Sequence, residues 1–312
     1  MMRFLIIGAG ALGGYYGGML AKGGADVTFL VRPRRAAQLA ERGLVIKRAE
    51  AEFSTPVKAV RAGAIGGPYE VVLLACKAYD LDTAIDDFAP ALSHDGVVLP
   101  ILNGINHIET LATRFGRDRV LGGVGMINAE LSPEGAVAFR LAMDNHISFG
   151  ELDGQRSARC LGIHRAFAAG DVRAAVSDRI VPEMWAKFCG YAAIATLATL
   201  TRARAGEVAA APSGAGFVAA VLAECDRVIA AEGYPPPPEI GDFLRGLYSR
   251  LGSDYRPSIA VDMEAGRPTE GEHTIGDLVR RAHSRGVDTP ILRAALCNLE
   301  IYEARRAAQF AA

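Results

Sequence analysis

The chain begins with a short apolar run that leads directly into a glycine-rich turn. Residues 3–7 read RFLII, and Gly8, Ala9, Gly10, Ala11, Leu12 and Gly13 follow in the pattern G-x-G-x-x-G. In this pattern one glycine makes a tight turn, the next lets backbone approach a pyrophosphate, and the third lets helix and strand pack closely. An ordinary tight turn is the alternative, but the position between a predicted strand and a predicted helix favours dinucleotide binding.

Further apolar runs predict a parallel sheet in the first half of the chain. Runs without polar alternation are typical of strands buried on both faces. The predicted strands cover residues 26–31, 70–76 and 96–101, and a later group covers 120–129, 136–141 and 146–149. We therefore predict an α/β fold in which residues 1–175 form a Rossmann-type doubly wound sheet with an antiparallel extension.

Helical periodicity dominates from about Ser177 to the end of the sequence. Long helices are predicted at residues 182–201, 214–232 and 290–309, and the run Pro235–Pro238 must be a connection. We assign residues 176–312 to a second, all-helical domain for substrate binding and dimerisation. Its apolar helix faces are compatible with a homodimer.

Composition excludes several classes of function. Lys and Arg number 34 and Asp and Glu 35, so no positive charge is left over to hold nucleic acid. The five cysteines occur singly and no histidines show metal-ligand spacing, so neither a disulfide framework nor a metal site is expected.

The uncharged stretch 4–21 contains six glycines, which disfavour a signal helix, and residues 188–201 are too few for a membrane span of about 20 residues. We expect a cytoplasmic protein with no membrane partner.

The end of the second predicted strand indicates the cofactor. An NAD site usually has Asp or Glu there, which accepts a hydrogen bond from the ribose 2′-OH. Here the chain continues with Arg32, Arg34 and Arg35, and Asp26 lies at the opposite end of the strand. Guanidinium groups suit a 2′-phosphate, so NADP(H) is predicted, held mainly by Arg32. A solvated basic loop is the alternative.

Over essentially its whole length the chain resembles the ketopantoate reductase (2-dehydropantoate 2-reductase) family. The resemblance rests on the ordered set GAGALG, Arg32, Cys76-Lys77-Ala78, Leu102-Asn103-Gly104, the run 184–188 (MWAKF), Ser258 and Thr269-Glu270. It implies an NADPH-dependent enzyme with an N-terminal Rossmann domain, a helical C-terminal domain and an active site in the cleft between them.

The resemblance also implies roles for individual residues. It makes Lys187 the proton donor and places Asn103 and Glu270 beside it and beside the cofactor. Lys77 then lies near the cofactor, and Ser258 binds the substrate together with Lys187. Tyr191 is a further candidate for substrate binding, because its hydroxyl stands where the family has an asparagine.

The chemistry of Lys187 can be argued from the residues themselves. Reduction of a 2-keto acid needs a hydride and a proton for the developing alkoxide, and a lysine ammonium supplies the proton and favours the negative charge. The neighbours of Lys187 are mostly apolar, so burial would lower its pKa. The alternative is a surface lysine that extends its charge into water.

The helix that carries Lys187 departs from the family pattern. Family members that act on ketopantoate typically have two asparagines one and two turns beyond the lysine, where this chain has Tyr191 and Ala195. Polar contacts to the substrate are thereby lost, which would suit a bulkier or less polar group.

Three functions follow as hypotheses. The first is NADPH-dependent reduction of a 2-keto acid, with 2-dehydropantoate to pantoate in pantothenate biosynthesis as the leading reaction. The second is the same chemistry on a bulkier or less polar 2-keto acid or a keto lactone. The third is a non-catalytic NADP(H)-binding sensor, which would need the glycine loop but no proton donor.

Overall fold

The computed structural model describes residues 2–48, 51–139 and 146–311. The chain divides into two compact units. The first contains residues up to Leu102 together with His107–Val181, and the second contains Asn103–Asn106 together with the chain from Pro182 onward. In the described ranges no helix is both long enough and apolar enough to cross a membrane.

The first unit contains every strand in the described part of the chain. The strands are β1 (Arg3–Ile7), β2 (Asp26–Leu30), β3 (Leu44–Arg48), β4 (Ala51–Thr55), β5 (Lys58–Val60), β6 (Tyr69–Leu74), β7 (Leu92–Pro100), β8 (Leu121–Met126), β9 (Ala129–Leu131), β10 (Val137–Phe139), β11 (His146–Glu151) and β12 (Arg173–Val176). The helices are α1 (Ala11–Lys22), α2 (Pro33–Arg42), α3 (Leu81–Phe88), α4 (His107–Phe115) and α5 (Ala158–Ala169).

The central sheet has the strand order β5-β2-β1-β6-β7, and all its neighbouring strands are parallel. Ile7 at the end of β1 lies opposite Leu30 of β2 and Leu74 of β6. The chain moves outward from β1 to β2 and later returns to the other side of β1 as β6. The carboxyl end of β1 is therefore a point where the strand order reverses, which is where open α/β sheets bind ligands.

Two smaller sheets extend this unit. One has the order β4-β3-β10-β9 and the other the order β12-β11-β8, in which β8 and β11 are antiparallel. The predicted strand 136–141 is found as β10, and its Arg140 and Leu141 lie outside the described residues. The hydroxyl of Tyr16 on α1 donates to the His146 carbonyl oxygen at 2.7 Å and accepts from the Met126 amide at 3.1 Å, which joins α1 to β8 and β11.

The second unit is helical throughout its described residues. Its helices are α6 (Ile180–Thr201, which begins in the first unit), α7 (Ala205–Ala210), α8 (Gly214–Ala231), α9 (Pro238–Leu247), α10 (Ser258–Glu264), α11 (Asp277–Ser284) and α12 (Pro290–Ala311). A π-helical turn, Glu272–Gly276, precedes α11. The predicted combination of a parallel α/β sheet and an all-helical second part is confirmed.

Buried contacts hold the helices of this unit together. Ala195, Ile259, Met263 and Leu299 belong to one hydrophobic cluster contributed by α6, α10 and α12. The buried carboxylate of Glu224 on α8 accepts from the first backbone amides of α12, at 3.0 to 3.1 Å. A carboxylate at a helix N-terminus satisfies amides that have no partner inside the helix.

Candidate functional site

The glycine loop has the local geometry that a dinucleotide needs. Gly8 has φ +88°, a conformation that favours glycine, and a Cβ at Gly13 would lie 2.0 Å from the Gly8 carbonyl oxygen. A Cβ at Gly10, in contrast, would have no atom within 4 Å, so one side of the loop backbone is open. Gly10 is also the N-cap residue of α1 and provides no side-chain cap, and the first turn of α1 contains no acidic residue. Open helix amides at this point fit a pyrophosphate.

Arg32 lies beside this loop but is already engaged. It follows β2 at the N-cap of α2, and its Nη2 is 2.6 Å from Oδ1 of Asp80, which lies shortly after β6. The side chain of Arg32 is 77% exposed, so its guanidinium remains accessible to a ligand.

Arg35 is not available to a 2′-phosphate, which corrects the expectation that all three guanidinium groups after β2 are available to it. Its Nε donates to the Ala9 carbonyl oxygen at 2.9 Å and its Nη1 donates to the Gly135 carbonyl oxygen at 2.6 Å. The side chain is buried because the turn between β9 and β10 covers it. Arg35 therefore anchors the glycine loop to that turn, while Arg34 is exposed.

Lys77 lies at the same edge of the sheet. It follows β6 and begins the short turn Ala78–Asp80, where the Asp80 amide donates to the Lys77 carbonyl oxygen at 2.9 Å. The preceding residues, Ala75 and Cys76, contact the position of a Cβ at Gly8. The structure thus brings Lys77, Arg32 and the glycine loop together in the first unit.

The second unit brings three other predicted residues together. Lys187 on α6 is half-buried, and its sequence neighbours Trp185 and Phe188 have buried side chains. Burial lowers its pKa from 10.5 to about 8, and the Glu270 carboxylate acts in the opposite direction. Glu270 is itself buried, and its Oε2 accepts from Nδ2 of Asn103 at 3.4 Å. The arrangement can donate a proton near neutral pH and can stabilise a developing negative charge.

The backbone around Glu270 is fixed by residues that sequence reasoning missed. Glu303 of α12 accepts from the amide and hydroxyl of Thr269, both at 2.8 Å, and Arg306 pairs with Glu303. The Thr274 hydroxyl donates to the Glu270 carbonyl oxygen at 2.8 Å. No sequence motif marks Glu303 or Thr274, because these contacts form only after the helices pack.

Tyr191 and Ala195 have different roles. The Tyr191 hydroxyl lies 3.3 Å from the hydroxyl of Ser258, which begins α10, so the predicted substrate residues Tyr191 and Ser258 are adjacent. Ala195 is fully buried in the hydrophobic cluster of α6, α10 and α12. The structure gives its methyl group a packing role, so only Tyr191 remains as a replacement that can change a substrate contact.

In the described part of the chain, His, Cys, Asp and Glu side chains form no cluster of three or more that could hold a metal ion.

Both units match known protein families. Residues 4–154 match the family model described as ketopantoate reductase PanE/ApbA, and residues 179–303 match the model of its C-terminal part. An uncharacterized oxidoreductase, YkpB from Bacillus subtilis (strain 168), is 34% identical over 305 residues, which cover 98% of this chain and 100% of YkpB.

Solved structures give the same result. The 2-dehydropantoate 2-reductase from Geobacter metallireducens GS-15 superposes with a TM-score of 0.87 and 27% identity, covering 96% of this chain and 99% of its own. A D-mandelate dehydrogenase, solved with NADH and anilino(oxo)acetate, has a TM-score of 0.89 and 22% identity, covering 98% and 100%, and shares the fold. The resemblance seen in the sequence is thereby confirmed, and the chain belongs to the ketopantoate reductase family of pyridine-nucleotide oxidoreductases.

Proposed function

We propose that this chain is an NADPH-dependent reductase that converts a 2-keto acid to the 2-hydroxy acid, with 2-dehydropantoate to pantoate in pantothenate biosynthesis as the leading reaction. The observation that carries the proposal is the grouping of Lys187, Asn103 and Glu270 in one unit, with the pKa of Lys187 lowered to about 8. A cytoplasmic location and a homodimer remain parts of this proposal.

The first unit supplies the cofactor site. The open side of the loop at Gly10 and the first amides of α1 hold the pyrophosphate. Arg32 binds the 2′-phosphate, and Lys77 provides positive charge near the cofactor. When bound, NADPH supplies the hydride that reduces the keto carbon.

The second unit supplies the proton. At pH 7 an ammonium group with a pKa of about 8 is mostly protonated, and it is a stronger acid than an ordinary lysine. Lys187 therefore donates its proton to the carbonyl oxygen as negative charge develops there. Glu270 keeps the lysine charged, and Asn103 fixes the direction of the Glu270 carboxylate through the 3.4 Å hydrogen bond. The hydroxyl groups of Tyr191 and Ser258 offer hydrogen bonds to the rest of the substrate.

A second candidate function is reduction of a bulkier or less polar 2-keto acid or a keto lactone. It is favoured by Tyr191, which places an aromatic ring against the hydrophobic cluster and directs its hydroxyl to Ser258. D-mandelate dehydrogenase, which shares the fold, makes an aryl 2-keto acid such as phenylglyoxylate a reasonable test compound. The sensor hypothesis gains nothing from these residues, because cofactor binding alone requires no proton donor.

The test is NADPH oxidation by the purified protein with ketopantoate, phenylglyoxylate and branched 2-keto acids. Lys187→Ala should lower kcat by about 10²- to 10⁴-fold, the usual contribution of a general acid, while the Kd for NADPH stays nearly unchanged. Lys58→Ala, which removes an exposed lysine from β5, is the matched control and should behave like wild type.

The outcomes separate the hypotheses. Fast turnover of ketopantoate supports the leading reaction, and turnover of only the bulkier acids supports the second candidate. NADPH binding without turnover of any keto acid favours the sensor, and full activity of Lys187→Ala contradicts the proposed mechanism.

A further inference from the structure

The ion pair between Arg32 and Asp80 crosses the carboxyl end of the central strand. Arg32 follows β2 and Asp80 follows β6, and these two strands flank β1 on opposite sides. The 2.6 Å contact therefore links the segment after β2 to the segment after β6, across the end of β1 where the glycine loop begins. The residue that follows the second strand of such a fold is the one that contacts the adenosine ribose of a bound dinucleotide, so this pair lies where the two cofactors differ.

The pair has no evident role in folding. Asp80 stands at the N-cap position of α3, and Arg32 stands at the N-cap position of α2, but neither side chain caps its helix. Their side chains are 31% and 77% exposed, and ion pairs with this much exposure contribute little to stability. A carboxylate that leaves its own helix uncapped and instead pairs across the ligand-binding edge points to a role in binding.

Arg35, which is close to Arg32 in sequence, cannot replace the engaged guanidinium. Arg35 is buried and donates to the carbonyl oxygens of Ala9 and Gly135, so it cannot turn toward a ligand without breaking both bonds. A 2′-phosphate would therefore meet Arg32 already partly neutralised by Asp80, with the exposed Arg34 following on α2. A ribose 2′-OH, in contrast, could donate to a carboxylate, as it does to the acidic residue of NAD sites.

We propose that Asp80 is a specificity-determining residue that limits the preference of this chain for NADPH over NADH. Its carboxylate competes with the 2′-phosphate of NADPH for Arg32 and offers an acceptor to the 2′-OH of NADH. This inference rests on the cofactor binding of the proposed function and goes beyond it, because it assigns the choice between the two cofactors to one residue.

The test measures the Kd of NADPH and of NADH for the whole protein, by isothermal titration without a keto acid. Asp80→Asn removes the charge with almost no change of shape. It should tighten NADPH binding by about 2- to 10-fold, the range of one exposed charge interaction, and leave NADH binding unchanged or weaker. Asp82→Asn, an exposed carboxylate two residues later on α3, is the matched control and should leave the ratio of the two Kd values as in wild type.

A second background distinguishes competition from a general charge effect. In the Arg32→Ala background, Asp80→Asn should improve NADPH binding by a smaller factor, because the guanidinium for which Asp80 and the 2′-phosphate compete is absent. An equal improvement in both backgrounds would overturn the competition for Arg32.

Other results would also overturn the inference. Weaker NADPH binding by Asp80→Asn would show that Asp80 holds Arg32 ready for the phosphate, and a ratio equal to that of Asp82→Asn would show no role in specificity. If wild type bound neither cofactor, the proposed function would fail and this inference with it, whereas binding of both with an unchanged ratio would overturn only the inference.

Discussion

Two opposing influences act on the ammonium group of Lys187. Its apolar surroundings favour the neutral amine, and the Glu270 carboxylate favours the charged form. Burial is the larger influence, and the resulting pKa of about 8 lies close to neutral pH. A general acid works best when its pKa is near the working pH. The acidity of Lys187 therefore depends on both influences together, the apolar surroundings and the Glu270 carboxylate.

This balance predicts the pH dependence of reduction. Lys187 must be protonated to act as the acid, so kcat/KM for the keto acid should fall as pH rises through about 8, and the reverse oxidation should gain over the same interval. Glu270→Gln removes the carboxylate that raises the lysine pKa, so the descending limb of the profile should move to lower pH. The measurement is a pH profile of kcat/KM between pH 6 and 10 for wild type and variant.

The control for this profile is Glu272→Gln. Glu272 is exposed on the neighbouring π-helical turn and pairs with Arg280, so its removal should leave the limb in place. A limb that stays near pH 8 in Glu270→Gln, or that moves equally in both variants, would show that Glu270 does not set the lysine pKa.

At the scale of elements, the turn at Asn103-Gly104 packs closely against the π-helical turn, so the position of one fixes the position of the other. Gly104 has φ +88°, and a Cβ at this position would lie 2.8 Å from the His273 carbonyl oxygen. The backbone therefore approaches the π-helical turn as closely as glycine allows, and this approach positions Asn103 for its contact with Glu270. π-Helical turns are rare and frequently occur at functional sites.

Gly104→Ala tests this dependence. The new methyl group must push the turn away from the carbonyl oxygen of His273, which should separate Asn103 from Glu270 and lower kcat/KM by about tenfold, as expected for small misplacements near reacting groups. The left-handed backbone should also cost about 1–2 kcal/mol of stability. Gly233→Ala is the matched control, since Gly233 has φ +90° but no atom within 4 Å of its Cβ position. Equal loss of kcat/KM in both variants would contradict the positional role of Gly104.

The sequence predicts the elements that have a strong local pattern. The buried strands β1, β2 and β6 and the long helices α6 and α8 lie within a few residues of their predicted bounds, because continuous apolar runs and helical spacing are local signals. The hairpin of β3 and β4 was not predicted, since its residues mix charged and apolar side chains and β3 also pairs with the distant β10.

At the candidate site, sequence reasoning identified the residues but not their partners. The contact of Arg32 with Asp80 joins residues 48 positions apart, and that of Arg35 with Gly135 joins residues 100 positions apart. Nothing in the local sequence distinguishes an arginine that faces a ligand from one that anchors a loop. Asn103 and Glu270 were singled out through the family resemblance, but their contact, across 167 positions, was not predicted.

For the whole molecule, the proposed function assigns cofactor binding to the first unit and proton donation to the second. The glycine loop, Arg32 and Lys77 lie in the first unit, and Lys187 with its two neighbours lies in the second. The helical unit therefore has to accommodate a charged lysine among apolar residues. A functional group in such surroundings commonly lowers the free energy of unfolding, because an active site is selected for activity and not for stability.

Lys187→Met should therefore make the protein more stable at pH 7. The folded-state pKa of about 8 lies below the usual 10.5, so the unfolded chain binds the proton more tightly and the full cost of holding it is present below pH 8. Because a tenfold change in a protonation equilibrium corresponds to about 1.4 kcal/mol, and Lys187 is only partly shielded, the expected gain is about 1–3 kcal/mol. As pH rises from about 8 to 10.5, folded wild type releases the proton and the difference should shrink. Urea unfolding followed by the fluorescence of Trp185, the single tryptophan, reports on this unit, with Lys58→Met as the control that should show no gain. A variant no more stable than wild type at pH 7, or a gain independent of pH, would show that the Lys187 ammonium group is well hydrated and would remove the physical basis for its acidity.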